Sequence, residues 1–188
     1  MFKVSQPATL NIELGTIKKN SYLIKAMILS EKNIFDLLSS IPDPEIPVIS
    51  INDLGILREV LIADGKVKVR ITPTYTGCPA MKAIENEIKE KLVEAGVQNG
   101  EVELVYSPVW TTDWINDDAK ERLRKYGIAP PLLSSRDKNL LSLQPKKIAC
   151  PHCGSVQTEM ISAFGSTACK ALYKCKNCLE PFDYFKCH

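Results

Sequence analysis

From residue 29 onward the chain alternates between two spacings of apolar residues. In "LSEKNIFDLLSSI", residues 29–41, Ile34, Leu37, Leu38 and Ile41 recur at three and four, which is the spacing of one helical face. Ser30 stands where an N-cap hydroxyl accepts a backbone N–H. Prolines at 42, 44 and 47 then forbid further helix. "ILREVLIADGKVKVRITPT" holds two runs rich in valine and isoleucine joined by Asp64-Gly65, so 56–63 and 66–72 are predicted to pair as an antiparallel hairpin. Met81, Ile84, Ile88 and Leu92 mark a second helix from about 79 to 95, opened by Pro79 and closed by Gly96. "EVELVYS" at 101–107 reads as a third strand, and 116–127 as a short helix between the cap Asn116 and the stop Gly127.

Helix, hairpin, helix, strand and helix imply an α+β domain over 29–130, a small mixed sheet packed with helices. Residues 1–28 show neither cap nor period and form an unassigned lead, in which Met27 is an alternative start. Residues 131–147 lack a sustained period and read as a linker. No internal repeat is found.

Composition changes this picture little until the cysteines. The chain has 188 residues, 45% of them hydrophobic and 24% charged, with a net charge of +2 that no segment concentrates. An even charge disfavours nucleic acid or an anionic membrane as partner. No run reaches the length of a membrane span, and the first twenty residues lack the apolar core of a secretion signal, so a cytoplasmic location is the default expectation. Seven cysteines, an odd number with six of them between 150 and 188, are wrong for a disulfide framework.

Cys150 and Cys153 in "CPHC", and Cys175 and Cys178 in "CKNC", form two Cys-x-x-Cys knuckles separated by 21 residues. Two such knuckles present four thiolates to one ion, and the strand-like "TEMISAF" and "KALYKC" between them complete a zinc ribbon over 148–188. So short a segment needs a structural metal to hold together in a reducing compartment. The same four thiolates also suit an iron–sulfur cluster, and Cys169 and Cys187 are spare residues that could serve as alternative ligands or redox thiols. His152, between two ligands, and His188 are read as bystanders.

The seventh cysteine stands apart. In "TYTGCPAMKAIENEI", Cys78 directly precedes the proline that opens a helix, so its thiol faces unpaired backbone N–H groups. The helix field alone is worth about 0.3–1 kcal/mol, less than one pKa unit, so direct hydrogen bonds would have to do more. Thr74, Thr76 and Gly77 lie within reach along the chain. The alternative is a small apolar residue buried at a strand–helix junction. Asp43, Glu45 and Asp53 surround the proline-stiffened turn, as candidates for cation binding, for acid–base work, or simply for capping backbone groups. Trp110 and Trp114 suit either a partner surface or the domain core. No phosphate loop, nucleophile elbow or histidine cluster is present, which argues against an independent hydrolase or oxygenase.

Four blocks carry a resemblance. "DPEIPVISINDLGILREV", "ITPTYTGCPAMKAIENEI", "SPVWTTDWINDDAKERLRKYGIAPP" and "SAFGSTACKALYKCKNCLEPFDYFKCH" resemble, in this order, the PaaD subunits of bacterial phenylacetyl-CoA epoxygenases. That family looks like a SufT-type iron–sulfur assembly domain fused to a zinc ribbon, and the likeness spans about residues 30–188. It implies a non-catalytic accessory subunit that assists maturation of the iron–sulfur or di-iron centres of an oxygenase and its reductase. It also implies a metal-transfer site at Asp43, Glu45, Thr76 and Cys78. Structural zinc, and transient iron or an iron–sulfur cluster, are the implied cofactors. Oxygenase and reductase subunits and iron–sulfur carriers are the implied partners, with the ribbon and the Trp110–Trp114 segment docking the client. A subunit that only stabilises the oxygenase complex, without handling metal, is the competing expectation.

Overall fold

Valine and isoleucine alternate with charged residues along the second run of the hairpin, and its burial follows that alternation, while the first run is interrupted by a bulge between Leu57 and Glu59. The computed structural model describes residues 30–132 and 147–186. The expectations for the lead, for most of the linker and for Cys187 and His188 lie outside the described residues. The elements run α1 (Glu31–Leu38), β1 (Leu57–Ala63), β2 (Lys66–Ile71), α2 (Ala80–Glu94), β3 (Gly100–Leu104), a single 3-10 turn (Thr112–Trp114) and α3 (Asp117–Lys125). They continue with β4 (Ile128–Ala129), β5 (Thr158–Ser162), β6 (Lys170–Cys175) and β7 (Pro181–Phe185).

The first sheet has the order β1-β2-β3 and is mixed, as expected. β1 and β2 pair antiparallel across Asp64-Gly65, both of which have positive φ, as the tight hairpin turn demands. β3 joins β2 in parallel, which is possible because α2 carries the chain back across the sheet. Val67, Val69 and Ile71 of β2 are fully buried beneath the helices, where each contributes roughly 1.5–3 kcal/mol of hydrophobic burial. On the other face Arg70 bridges Glu59 and Glu103, both at 2.9 Å.

Ser30 caps α1 by accepting the Asn33 N–H, and Asn116 caps α3 by accepting that of Ala119. α2 buries Met81, Ile84, Ile88 and Leu92, the predicted face. α1 departs slightly from expectation. Ile34 and Leu38 are buried but Leu37 is partly exposed, because a helix this short turns only two positions fully onto the sheet.

The second sheet has the order β4-β7-β6-β5. Its central strand β7 and the two-residue β4 were not predicted. β7 alternates buried Phe182 and Tyr184 with outward Pro181 and Asp183, over a stretch too short to stand out beside the knuckle. β4 follows directly on α3 and pairs in parallel with β7, Ile128 opposite Asp183 and Ala129 opposite Tyr184. The second sheet is therefore completed by a strand that follows directly on the last helix of the first domain. Ile148, Tyr173, Phe182 and Tyr184 form its own small core, while Cys169 and Phe185 pack into the larger one.

Candidate functional site

Two groups of sulfur atoms emerge, and the fold builds them differently. In the first, the knuckles set Cys150, Cys153, Cys175 and Cys178 so that all four Sγ atoms lie within 4.8 Å of one another. The opposed pairs Cys150–Cys178 and Cys153–Cys175 are 3.7 and 3.6 Å apart. A tetrahedron with metal–sulfur bonds of about 2.3 Å has edges of about 3.8 Å, so these sulfurs already stand at the spacing of a four-thiolate metal site. Backbone N–H groups of Asn177 and Cys178 donate to Cys175 Sγ at 3.4 and 3.5 Å, and they would share the negative charge of a bound thiolate. Four protein ligands would close the coordination shell of a bound ion and leave a substrate no open position. Cys169 is not among these four: it stands in the turn before β6 and packs in the larger core. His152 is exposed, with its ring against Gly127, and takes no part either.

The second group surrounds Cys78. Tyr75 O accepts the Cys78 N–H at 3.2 Å, and Gly77, at φ +83°, supplies the left-handed residue this turn needs. Pro79 already has helical dihedrals although hydrogen-bonded helix begins at Ala80, so Cys78 does stand at the mouth of α2. Its sulfur receives the backbone N–H groups of Ala80 and Met81 and the Tyr75 hydroxyl. The expected hydroxyl partners were Thr74 and Thr76; the residue between them serves instead.

These bonds do not make Cys78 acidic. Burial pushes the thiol up, the Glu45 carboxylate adds to that, and the three hydrogen bonds only partly offset them. The expectation of a thiolate favoured by the helix end is corrected in sign, because half-burial beside a carboxylate outweighs a helix field worth under one unit. Tyr75, which donates to the same sulfur, is pushed up to about 12, first by burial and then by the Cys78 charge.

The structure brings Asp43 and Glu45 to this thiol. All three line one cleft of about 320 Å³, open space included, with Thr74, Ile84, Cys169 and Phe185. Asp43 is buried, and its Oδ1 accepts the N–H groups of Glu45 and Ile46 at 2.9 Å each. It shapes the turn that aims Glu45, while burial holds its own carboxyl above the usual range. Thr76 is exposed and faces a separate groove with Tyr106, Val109 and Trp110. Asp53 is elsewhere: it accepts from Ser50 and Asn116 and pairs with Arg122 at 2.8 Å, bracing the acidic loop against α3. Burial acts to raise its carboxyl, but these partners outweigh it and hold Asp53 below the usual range.

Sequence reasoning missed two members of the cleft neighbourhood. Cys169 reaches the site only through the docking of the second sheet, with Sγ 3.9 Å from Glu45 Oε2. Lys170, only 5% exposed, lies where its charge is felt by both Asp43 and Cys169, and its Nζ is 3.9 Å from Asp183. No local spacing announces either. Of the two uses the sequence left open for the tryptophans, Trp110 fills the core, its Nε1 donating to Leu54 O at 2.7 Å. Trp114 is half-buried beneath the Arg58 guanidinium.

A helix-capped thiol on a small mixed sheet, followed by a four-cysteine β-ribbon, defines an iron–sulfur assembly-type domain joined to a zinc ribbon. Residues 31–104 match the family described as "Iron-sulfur cluster assembly protein", and residues 134–186 that described as "PaaD zinc beta ribbon domain". The chain is 52% identical over 155 residues to an Escherichia coli protein named as the D component of a putative 1,2-phenylacetyl-CoA epoxidase, covering 82% of this chain and 91% of that one. It belongs to this family of phenylacetyl-CoA epoxidase components, the PaaD family. A "Fe-S protein maturation auxiliary factor" of Porphyromonas gingivalis is 35% identical over 92 residues, 48% of this chain and 87% of that one. Among solved structures, a "Domain of Unknown Function DUF59" from Bacillus anthracis covers 50% of this chain and 90% of its own, at 28% identity and a TM-score of 0.45.

Proposed function

We propose that this protein is a non-catalytic accessory subunit of a phenylacetyl-CoA epoxidase system, and that it assists the installation or repair of iron centres in the oxygenase or its reductase. The observation that carries this reading is Cys78, a free thiol at the mouth of α2 that shares a cleft with Glu45 and Asp43. The names of the relatives, one an epoxidase subunit and another an iron–sulfur maturation factor, support it. Iron is the cargo here, and a thiol with an adjacent carboxylate suits iron held for transfer. A thiol kept protonated by burial gives up its proton when metal arrives and takes one back when metal leaves, so the site both loads and unloads.

Zinc is the metal proposed for the four-cysteine centre, whose sulfur spacing fits it and whose closed shell suits a structural role. Neither centre supplies a general base or nucleophile arrangement for turnover of an organic substrate. Partners follow as the oxygenase and reductase subunits and iron–sulfur carriers, and the free thiols fit a reducing, cytoplasmic setting. Among the described residues no helix is long and apolar enough to cross a membrane.

Replacing Cys78 by serine tests the reading in cells that grow on phenylacetate. Loss of iron from the purified oxygenase or reductase, with loss of epoxidation, is the expected result. Full iron content and full activity in that strain would remove Cys78 from any maturation role.

A second reading, a subunit that only stabilises the complex, is favoured by one feature. The edge strand β5 and the loop after it expose Met160, Ile161 and Phe164, the last 64% accessible. Scattered apolar residues are ordinary on surfaces, but three together on a free edge suit protein contact. Under this reading, changing them to polar residues disrupts the complex, while Cys78→Ser does nothing.

A further inference from the structure

The ribbon reaches into the other half of the molecule with one sulfur. Cys169 is 6% exposed and belongs to the large core rather than to the ribbon's own. It lines the same cleft as Cys78, Asp43 and Glu45, and its charge is felt by Tyr75, which donates to Cys78. Among the described residues no donor other than the Cys169 thiol reaches the Glu45 carboxylate. A half-buried carboxylate set against a thiol, with a second thiol lining the same cleft, is poorly explained as packing. Without a metal the two thiols stay protonated and the Cys169 S–H donates to Glu45, so the cleft holds two sulfurs and a carboxylate that become anionic ligands only when a cation displaces the thiol protons.

We propose that Cys169 is a second sulfur ligand of the Cys78 site, which with Glu45 binds one divalent metal of borderline softness, iron(II) as physiological cargo. This rests on the metal-handling reading of Cys78. Metal–sulfur bonds of about 2.3 Å and metal–oxygen bonds of about 2.1 Å at a tetrahedral angle separate S from O by about 3.6 Å. The observed 3.9 Å between Cys169 Sγ and Glu45 Oε2 closes to that with a few tenths of an ångström of side-chain rotation, and binding must also draw in Cys78 Sγ, because before metal arrives the three ligand atoms do not yet stand as a metal-ready group. Binding releases the two thiol protons to solvent, forms two metal–sulfur bonds and one metal–oxygen bond, and involves no change of oxidation state. Three protein ligands leave a fourth position open, where a thiolate or carboxylate of a client can enter and draw the metal off. The ribbon then acts on the transfer site from a distance, because its closed metal centre fixes the strand that presents Cys169.

Cobalt(II) added without oxygen to the full chain, with zinc already in the ribbon, tests the proposal directly. Zinc binds such sites more tightly than cobalt, so cobalt reports on the second site, with zinc release monitored as a control. One cobalt per chain is expected, with sulfur-to-cobalt charge-transfer absorbance. X-ray absorption at the cobalt edge of the unaltered protein should count two sulfur neighbours, which needs no variant to fold. Cys169→Ser and Cys78→Ser should each remove about half of that absorbance. They should also weaken binding on the order of tenfold or more, since losing even an outer-shell partner costs a metal site about 10–100-fold. Glu45→Gln should weaken binding while leaving the sulfur absorbance in place. One sulfur neighbour, or a Cys169→Ser variant that binds like the unaltered chain, would overturn the proposal and leave the Cys78 reading standing. No cobalt beyond the ribbon would overturn it too, and the Cys78→Ser strain would then decide the maturation role separately.

Discussion

The rings of Trp110 and Phe185 stand 6.2 Å apart with their planes tilted by 58°, and that contact joins the two halves of the protein. Trp110 is tied to the first sheet's side of the core by its hydrogen bond to Leu54, and Phe185 ends the last strand of the second sheet. Phe185 also lines the Cys78 cleft, so the joint and the site share a wall. Phe185→Ala is expected to cost about 3–5 kcal/mol of stability, the usual range for removing a fully buried ring. Urea unfolding followed by tryptophan emission measures it. A loss below about 1 kcal/mol would mean that the ring does not anchor the halves.

Stripping the ribbon metal should be felt across that joint. Chelation is expected to release hydrogen-exchange protection in β5, β6 and β7 first, and to shift the emission of Trp110 as Phe185 loosens. Restoring zinc should reverse both. Unchanged tryptophan emission with an exchanging ribbon would show that the halves are independent.

Asp43 separates charge from hydrogen bonding. Its carboxyl is held above the usual range by burial, so the ionised form is disfavoured on folding. The stability it contributes is complete below its unfolded pKa of about 3.9 and fades as pH rises through the raised folded value. Asp43→Asn keeps an oxygen for the Glu45 and Ile46 N–H groups without the buried charge, so it should equal or exceed the unaltered chain in stability at pH 7 and lose less between pH 4 and 7. Asp43→Ala, which orphans both donors, should lose about 1–3 kcal/mol. Denaturation midpoints across that range decide it; an Asn variant as weak as the Ala variant would contradict this account.

Asp53 has the opposite sign. Despite burial, bonds from Ser50, Asn116 and Arg122 hold its carboxyl below the usual range, so its contribution is present above about pH 3.9 and lost as pH falls through the lower folded value. Arg122 also donates to Val48 O at 2.9 Å, so it clasps both ends of the loop that follows Glu45. Asp53→Ala is expected to cost about 1.5–3 kcal/mol at pH 7, the range for hydrogen bonds to charged groups, and progressively less as pH falls below about 3.9 through the lowered folded value. An equal cost across that fall would assign the loss to packing.

Cys78 should alkylate slowly. With its thiol pushed above the ordinary value by burial, the rate of iodoacetamide modification, read by mass spectrometry, should reach half its maximum above about pH 8.5. Tyr75→Phe removes one hydrogen bond to the sulfur and should move that midpoint higher still. A midpoint near neutrality would show that the helix end dominates after all.

The local elements were legible because each is set by its own residues: the valine- and isoleucine-rich runs of β1 and β2, the turn at Asp64-Gly65, the caps Ser30 and Asn116. The four-sulfur centre was equally legible, since a knuckle needs only adjacent residues. What the sequence hid were the products of distance along the chain. β4 has two residues and no period of its own, and exists because β7 offers it an edge. Cys169 looked like a spare ribbon thiol because its neighbours in sequence are ribbon residues, whereas its neighbours in space are Glu45 and the core. The acidity of Cys78 was misjudged for the same reason. The helix start is local, but the burial that opposes it comes from elements far away in the chain.

The pairing of β4 with β7 spans more than fifty residues of chain, and it sets a timing. While the ribosome has released the protein only as far as residue 160, α2 and its thiol can already be folded, yet the strand carrying Cys169 and the ring of Phe185 have not been made. A nascent chain in that state offers one sulfur and a cleft without its Phe185 and Cys169 walls. The cleft is complete only in a chain translated through its second sheet.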